Sequence, residues 1–557
     1  MKPAPTLGAA RNGLCALVLV AIVAFVYWPG VHGFWGRDDF MQLAFARLIG
    51  SPWPLFTHDH FPVPGSVFRP LGFASMWLCA TLLGAGYQAN AIADLALHAV
   101  VSVALLFLLL RAATPRPIAF LSSLLFALHP AVIGTALWWS ARFDLLSTLF
   151  VLLAMLAAFD YRERMRWRAL ACALLAALAA MLSKEIGLAV VVAMSLLWLH
   201  WAWVEPACRP RAIRALALTC LFAAIYLSWR WCVLGTPSSG IAGATPAHQL
   251  IAKGLLDWLR QAPGYWSFWI RLRAPQRSAL VLGIVFLAAS IVAACASRQA
   301  RTVLKTQADL AICGFSLLLL PALLQAPVAA LNAAPLNADV SFIESAMQSR
   351  LYYLGLVGVA IALAAFTTAA WHVAAKKMRI VVVAGFALCA IAFASASHRN
   401  AHAFAKRSLE ISEVARAAVS AVNTLDLPAS HCHVVFLDID PAPEWSVYVS
   451  MDSIVKALSP DLARVRQCYF HSNYVTYFHM IGGPVDLAGV APYRPSEDSS
   501  GVLPWRRIGD LTIGYLELPE TAGANALASM TFLRYRDGRF ANVSGDVVAG
   551  RLAVHPR

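Results

Sequence analysis

Two adjacent carboxylates, Asp38 and Asp39, stand in the stretch GRDDFMQL, a few residues beyond a long apolar run that begins near Leu14. A carboxylate within hydrogen-bond reach of a hydroxyl group can act as a general base, and neighbouring carboxylates raise each other's proton affinity, which suits a base or a cation ligand. The alternative is a pair of exposed loop residues that cap the segment after them. The other residues predicted at the same face decide between the two.

The stretch WPLFTHDHFPVPGSVFRPL, residues 53–71, contains a His-Asp-His run and an arginine before a proline. His58, Asp59 and His60 are metal-ligand types, but three consecutive residues converge on one ion only if the loop curls. A divalent cation is therefore left open, and no cofactor is required. A proline in the first turn of a helix would place Arg69 at the helix entrance, where its guanidinium and the free backbone N–H groups favour an anion.

Further ionisable residues stand at the ends of apolar stretches. They are His129 in FALHPAV, Arg142 with Asp144 in WWSARFDLL, Lys184 with Glu185 in AMLSKEIGL, and Arg350 with Tyr352 in SFIESAMQSRLYYL. The local alternatives are a packing histidine and an ion pair between Arg142 and Asp144. Lys184 runs against the charge bias of external loops and needs a partner. Together with Arg69 these cations would form a site for the phosphate headgroup of a membrane lipid, beside the acidic pair.

Composition identifies the elements that must position these residues. The 557-residue chain is 60% hydrophobic and 13% charged, with a mean hydropathy of +0.66, which is far from a soluble domain. About 20 mostly apolar residues cross the hydrocarbon core as a helix. About eleven stretches reach that length: 13–34, 89–110, 117–136, 143–160, 168–183, 186–204, 213–232, 279–296, 308–327, 351–371 and 380–397. The sequence predicts a polytopic α-helical membrane protein.

Charge predicts the topology of these spans. Lys and Arg number 44 against 29 Asp and Glu, a surplus of +15. Basic clusters fall on one side of the alternating spans, at 2–11, 111–116, 162–168, 209–214, 298–305 and 376–379. Because short cytoplasmic loops are rich in Lys and Arg, the surplus sets topology and does not indicate nucleic acid. We expect a multi-pass protein of the plasma (inner) membrane with a cytoplasmic N-terminus. The external segments would be 35–88, 233–278, 328–350 and the tail.

The chain is predicted to divide into a membrane domain, 1–397, and an external soluble domain, 398–557. Apolar alternation in the tail predicts strands at 433–439, 475–480, 511–518 and 530–536 and helices at 400–424 and 446–458, a small α/β or α+β module. Cys432 and Cys468 lie in this tail. An oxidising compartment favours a disulfide between them, and two free thiols are the alternative.

The order of RDDF, LFTHDHF, FRPL, a D/N-x-x-x-H helix, FALHP, SxRxDLL, LSKExG and xRLYYL along the chain resembles the integral-membrane glycosyltransferases of the GT-C fold that use polyprenyl-phosphate-linked sugars. The likeness is greatest to the branch of the TMTC-type O-mannosyltransferases and their bacterial relatives. It covers about residues 13–200 well and the segment near residue 350 loosely.

The resemblance implies an inverting reaction. An acceptor hydroxyl, assisted by Asp38 with Asp39 beside it, would attack the anomeric carbon of the donor sugar, and a lipid phosphate would leave. The cations that would stabilise its charge are Arg142, Lys184 and Arg350, then Arg69 and His129. Supporting positions are Asp59, Asp144, Glu185 and Tyr352. The implied acceptor is an envelope glycan, lipid or protein at the external face.

Three residues depart from the pattern of these relatives. Asp94 stands where Asn is usual, four residues before His98, while Ala141 and Ser349 replace a glycine and a glutamate. These departures bear on donor recognition, and the sugar and acceptor stay undetermined. The alternative function is a transporter or flippase for a lipid-linked or anionic substrate, with Asp94 and His98 as a proton relay. We detect no inverted repeat that would favour it.

Overall fold

The computed structural model describes residues 5–36, 38–60, 67–235, 274–331, 349–373, 376–428, 432–438, 451–472, 477–482, 491–492, 506–508, 510–517 and 527–552. Most of the predicted external segments 233–278 and 328–350 lies outside these residues. The chain forms two compact units, the first made of Met1–His32 with Ala91–Phe404 and the second of Gly33–Asn90 with Ala405–Arg557. The predicted division at residue 397 stays a prediction.

Helices dominate the described residues. In chain order they are α1 (Pro5–Tyr27), α2 (Asp38–Leu48), α3 (Pro70–Leu83), α4 (Tyr87–Arg111), α5 (Arg116–Leu128), α6 (Ile133–Leu137), α7 (Arg142–Arg164), α8 (Trp167–Ser183), α9 (Leu188–Val204), α10 (Arg209–Leu234), α11 (Ala274–Ala296), α12 (Arg298–Thr306), α13 (Ala308–Leu331), α14 (Tyr353–Val373), α15 (Lys376–Ile411), α16 (Glu413–Thr424), α17 (Met451–Leu458), α18 (Leu462–Val465) and α19 (Ser544–Val548).

The helices are those of a multi-pass membrane protein. In the part of the chain that the structure describes, seven helices are long and apolar enough to cross a membrane, and eight if one bent pair counts as a span. All eleven predicted stretches fall on helices, but α8 and the apolar parts of α11 and α13 are shorter than a full span. The polytopic helical class is confirmed, and the count of eleven spans is not.

The bent pair is α5 with the segment Pro130–Leu137, and its two axes differ by 53°. Pro130 lacks an N–H and disfavours the helical conformation at the residue before it. His129 accordingly adopts an extended backbone with ψ of 127°. A 3-10 turn at Pro130–Val132 and the short α6 follow, and every residue from Pro130 to Asp144 is buried.

Two glycines allow close backbone packing in the first unit. A Cβ on Gly187 would overlap the backbone of Ala180, so glycine lets the turn after α8 fold back onto that helix. A Cβ on Gly358 of α14 would overlap the backbone of Leu318 in α13. Small residues of this kind allow membrane helices and the turns beside them to approach closely.

The end of α7 that lies far from Arg142 is held by a second set of ion pairs. Arg162 pairs with Asp309 and Glu205, and Trp201 Nε1 donates to Asp309 Oδ1 at 2.7 Å. At 1.5 Å per residue, Arg142 and Arg162 lie about 30 Å apart along α7, the thickness of a hydrocarbon core. Both ends of this span therefore carry ion pairs.

The second unit contains two sheets. The strands are β1 (His433–Leu437), β2 (Tyr469–Ser472), β3 (Tyr477–Gly482), β4 (Ala491–Pro492), β5 (Arg506–Ile508), β6 (Leu511–Glu517), β7 (Met530–Arg536) and β8 (Arg539–Asn542). One sheet has the order β2-β1-β7-β8, with β1 parallel to both neighbours and β8 antiparallel to β7. In the other, β3, β4 and β5 pair antiparallel with β6.

We call residues 405–557 the C-terminal module. Strands β1, β3, β6 and β7 lie where alternation predicted them. The predicted helix at 446–458 is seen as α17 from Met451 onward, and its first residues lie outside the described part. Cys432 and Cys468, next to β1 and β2, form a disulfide, which decides between the two alternatives left by the sequence. The C-terminal region therefore contains sheets and helices, as predicted.

Candidate functional site

The break after α5 leaves backbone carbonyls without helical partners, and such groups must be satisfied inside a membrane. Three side chains from other helices donate to these carbonyls: His98 Nε2 to Ala127 at 3.1 Å, Ser397 Oγ to Leu128 at 2.8 Å and the Tyr27 hydroxyl to His129 at 3.4 Å. Residues of α1, α4 and α15 thus hold the broken segment in one conformation.

His98 joins this segment to α14. Its Nε2 donates to a carbonyl, so Nδ1 of the neutral ring accepts from the Tyr353 hydroxyl at a distance of 2.7 Å. Both side chains are fully buried. His98 therefore links α4, the end of α5 and the start of α14.

Asp94 binds Arg142 instead. Arg142 Nε lies 2.7 Å from Asp94 Oδ1, and both side chains are buried, with exposures of 3% and 0%. Arg142 is the first residue of α7, so its guanidinium meets the carboxylate of α4 where the broken segment ends. The local pair between Arg142 and Asp144 that the sequence left as an alternative is wrong, because each residue has another partner.

Asp144 is the partner of Lys184. Lys184 Nζ donates to Asp144 Oδ1 at 2.6 Å and to Oδ2 at 2.7 Å. Lys184 has an extended backbone between α8 and the turn Glu185–Gly187, and its side chain is 9% exposed. The expectation that this lysine needs a partner is confirmed. Glu185 opens the turn and is half-buried.

Two consecutive tryptophans stack against the two arginines, Arg142 and Arg350. The guanidinium carbon of Arg142 lies 5.5 Å from the Trp139 ring, and that of Arg350 lies 4.3 Å from the Trp138 ring. Arginine stacks on such faces through the ring quadrupole, which fixes the plane of the guanidinium. Arg350 and the buried Tyr352 form the 3-10 turn before α14. Arg142, Lys184 and Arg350 thus belong to one unit and lie at helix starts or turns.

His129 has a different role. Its Nδ1 accepts from the backbone N–H of Ala131 at 3.2 Å, so it caps the turn that follows. It also lines an apolar cavity of about 350 Å³, with Phe126, Leu280, Leu356 and Phe393 among its neighbours. His129 therefore acts in the structure as a cap at the wall of a cavity.

Asp38 and Asp39 lie in the second unit, in the first turn of α2. The Gly36 N–H donates to Asp39 Oδ2 at 3.2 Å, and the Asp39 N–H donates to the Gly36 carbonyl at 3.0 Å. Asp39 is 1% exposed, whereas Asp38 is half-exposed. The two carboxylates therefore differ, with Asp39 tied to the preceding turn and Asp38 more accessible.

Arg69 and the His-Asp-His run belong to the same unit. Arg69 occupies the N-cap position of α3, whose first residue is Pro70, as the sequence predicted. His58 Nδ1 lies 2.8 Å from Thr57 Oγ1, while the buried His60 ring lies 4.7 Å from that of Phe73. Asp59 is half-buried. In the part of the chain that the structure describes, no three His, Cys, Asp or Glu side chains come together to hold a metal ion.

The sequence did not identify Asp94 as the partner of Arg142, nor Tyr353, Ser397 and Tyr27 as the support of the broken segment. Asp94 was visible as a charge inside an apolar stretch, and such a residue requires a partner. The three hydroxyl residues gave no such signal, because Tyr and Ser are common in membrane helices as packing residues.

The fold and this cluster define a multi-pass α-helical membrane protein with buried ion pairs at its span ends and a C-terminal region that contains sheets. No family model and no curated protein matches the chain. Among solved structures it is similar to ArnT from Cupriavidus metallidurans bound to undecaprenyl phosphate, with a TM-score of 0.38 and 15% identity. The match covers 93% of this chain and 100% of that chain. A likeness of this size shows neither the substrate nor the reaction of this chain.

Proposed function

We propose that the chain is an inverting glycosyltransferase of the GT-C type. It moves a sugar from a polyprenyl-phosphate-linked donor to an envelope glycan, lipid or protein at the external face of the membrane. The observation that carries the proposal is the cluster of cations in the first unit. The buried Arg142 and Lys184 and the half-exposed Arg350 are held there at helix starts and turns.

Burial of these charges favours a ligand over a purely structural role. An ionisable residue in a membrane segment is costly and is kept where it serves a function. Arg142 and Lys184 are nearly inaccessible, with side chains 3% and 9% exposed. Asp94 and Asp144 hold the two side chains in place, and the tryptophans orient the arginines. Guanidinium and ammonium groups so fixed suit a phosphate, which accepts several charge-assisted hydrogen bonds.

The proposed reaction is a single displacement at the anomeric carbon. The acceptor oxygen forms a bond to the anomeric carbon while the bond from that carbon to the phosphate oxygen breaks. The acceptor hydroxyl proton passes to Asp38, and the electron pair of the broken bond stays on the lipid phosphate. Arg142, Lys184 and Arg350 stabilise that leaving group. Attack from the face opposite the phosphate inverts the configuration.

The different surroundings of the two aspartates support different roles for them. Asp38 is half-exposed and is the base, because a base must reach a proton on the substrate. Asp39 holds the turn before α2 through Gly36. The apolar cavity beside His129 offers a place for the first isoprene units of the donor.

The contacts of His98 and Asp94 do not favour a transporter. A relay needs Asp94 and His98 to exchange a proton, but Asp94 pairs with Arg142 and His98 engages Tyr353 and the Ala127 carbonyl. Each group is committed to a structural bond. These contacts do not favour a proton relay between Asp94 and His98.

Mass spectrometry of the cell envelope tests the proposal. Cells would express the wild type, Asp38→Asn or the control Asp426→Asn, whose side chain is exposed. We expect a sugar-sized mass on one class of lipid, polysaccharide or protein in the wild type and control, and its loss in Asp38→Asn. A general base contributes about 10²- to 10⁴-fold to rate. No sugar-sized mass in any strain, with lipid-linked precursor redistributed across the membrane, would contradict the proposal and indicate transport.

A further inference from the structure

Helix α2 connects the proposed base to the C-terminal module. It runs from Asp38 to Leu48, with Asp38 in its first turn and Arg47 in its last. Nine helical steps of 1.5 Å separate these two residues by about 13 Å. A side chain at the Arg47 end therefore affects chemistry at the Asp38 end only through the helix.

Arg47 caps the C-terminus of α17. Its Nη1 donates to the carbonyls of Lys456 at 3.2 Å and Ala457 at 2.6 Å, and its Nη2 donates to that of Ser459 at 2.9 Å. The last carbonyls of a helix have no intrahelical partner and form the negative end of its dipole. One guanidinium thus satisfies two of them and the carbonyl of Ser459 just after the helix, and it joins segments about 410 residues apart.

Helix α17 is itself fixed to both sheets. Asp452 accepts from the backbone N–H of Phe470 in β2 at 3.3 Å and of Met480 in β3 at 2.9 Å. Lys456 Nζ donates to Asp452 Oδ1 at 2.8 Å and to the Met480 carbonyl at 2.6 Å. Burial raises the pKa of the Asp452 carboxyl, but Lys456 and His479 outweigh it and hold the pKa below its usual value. The charged network makes α17 a rigid support.

The other contacts of α2 restrain it further. Phe45 of α2 packs edge-on against Phe73 of α3, with ring centroids 5.7 Å apart. Before α2, the Phe34 N–H donates to Ser408 Oγ at 3.0 Å, and the guanidinium of Arg416 lies 5.8 Å from the Phe34 ring. The chain on both sides of the aspartate pair is therefore held by the second unit.

We propose that the C-terminal module is a support that positions the helix of the catalytic base, and that Arg47 is its main positioning residue. This inference rests on the proposed function, since it gives the module a part in that reaction. A reacting group displaced by about 1 Å can lose much of its rate, so loosening α2 lowers turnover even when Asp38 is intact. Donor affinity depends on first-unit cations and should not change.

The test compares Arg47→Gln and Arg47→Lys with Arg464→Gln in the full-length protein in detergent. Arg464 is a matched control, because it also donates to a backbone carbonyl of the module, that of Asn423 at 3.1 Å, but does not bind α17. Hydrogen exchange of residues 38–48 and the kcat and donor KM of sugar transfer are measured. For Arg47→Gln we expect exchange about tenfold faster or more, and a kcat about tenfold lower at a donor KM within about twofold of wild type.

Arg47→Lys keeps one charged donor, so its increase in exchange and its loss of kcat should both be smaller than those of Arg47→Gln. It also provides a second variant if Arg47→Gln does not fold. The control should match the wild type. Exchange or kcat in the Arg47 variants equal to that of Arg464→Gln would overturn the inference, as would a change confined to donor KM. If the wild type transfers no sugar, the proposed function is contradicted. The exchange comparison would still show whether Arg47 holds α2.

Discussion

Asp38 and Asp39 are neighbours in sequence with different surroundings. Asp39 is buried and accepts a hydrogen bond from Gly36, and Asp38 is half-exposed. The sequence predicted a functional pair at this position but could not separate the two roles, because burial and the turn at Gly36 depend on packing. The acidic pair is therefore one base and one structural residue in our proposal.

Lys184 and Asp144 allow a test that separates phosphate binding from folding. Lys184→Ala leaves the Asp144 carboxylate buried without its cation, which costs about 3–5 kcal/mol, so a loss of activity alone is ambiguous. In the double variant Asp144→Asn with Lys184→Met the uncompensated charge is gone. We expect the double variant to recover the folded yield while its donor KM stays raised by about tenfold or more.

Binding of a polyprenyl phosphate and melting temperature in detergent measure the two effects. The matched single variant Asp144→Asn shows how far the carboxylate alone matters. A double variant that regains both folded yield and wild-type donor affinity would show that Lys184 serves only the ion pair.

At the level of elements, the broken span between α5 and α7 depends on hydrogen bonds from other helices. His98→Ala removes the donor to the Ala127 carbonyl and the acceptor of the Tyr353 hydroxyl, both of them buried. Each unsatisfied buried group costs about 1–3 kcal/mol, so we expect the melting temperature in detergent to fall by several degrees. The control His372→Ala, at an exposed position of α14, should change it little. Equal shifts in both variants would show that these bonds do not support the segment.

The sequence predicted most elements, because apolar runs and alternation are local signals. It also predicted the position of Arg69 at the entrance of α3, since a proline in the first turn favours the start of a helix. It predicted a span at α8, a helix that is shorter than a full membrane span.

At the level of the whole molecule, the second unit carries a buried histidine cluster that predicts how its stability varies with pH. His433 Nδ1 lies 3.1 Å from His471 Nε2, the His471 and His479 rings are 4.8 Å apart, and Lys456 and Asp452 of α17 face the group. Burial, followed by the charges of His479, His433 and Lys456, holds the pKa of His471 well below 6.5.

Because the folded pKa of His471 is lowered, the unfolded chain binds a proton below about pH 6.5 while the folded chain does not. The stability from neutral His471 is complete above that pH and falls with acidification by up to about 1.4 kcal/mol per pH unit. We expect the full-length protein to melt at a lower temperature at pH 5 than at pH 8. His471→Gln should reduce that difference, and His402→Gln, at an exposed position, should not. An unchanged difference in His471→Gln would contradict this account.

Contacts between distant segments could not be predicted from the sequence. Asp94 and Arg142 are 48 residues apart, and Arg47 and Ala457 are 410 apart. Periodicity and charge give the face on which a residue lies, but the choice of partner follows from packing of whole helices. The contact of Arg47 with α17 was for that reason not predicted, although most strands of the C-terminal module were.

In our proposal the chain transfers sugar from a polyprenyl phosphate with Asp38 as base. The most direct measurement is the release of polyprenyl phosphate from a panel of polyprenyl-phosphate-linked sugars by the purified protein, with an envelope extract as acceptor. We predict release from one donor by the wild type and by Asp426→Asn, and a loss of about 10²-fold or more in Asp38→Asn. Release from no donor, or equal release by Asp38→Asn, would contradict the account.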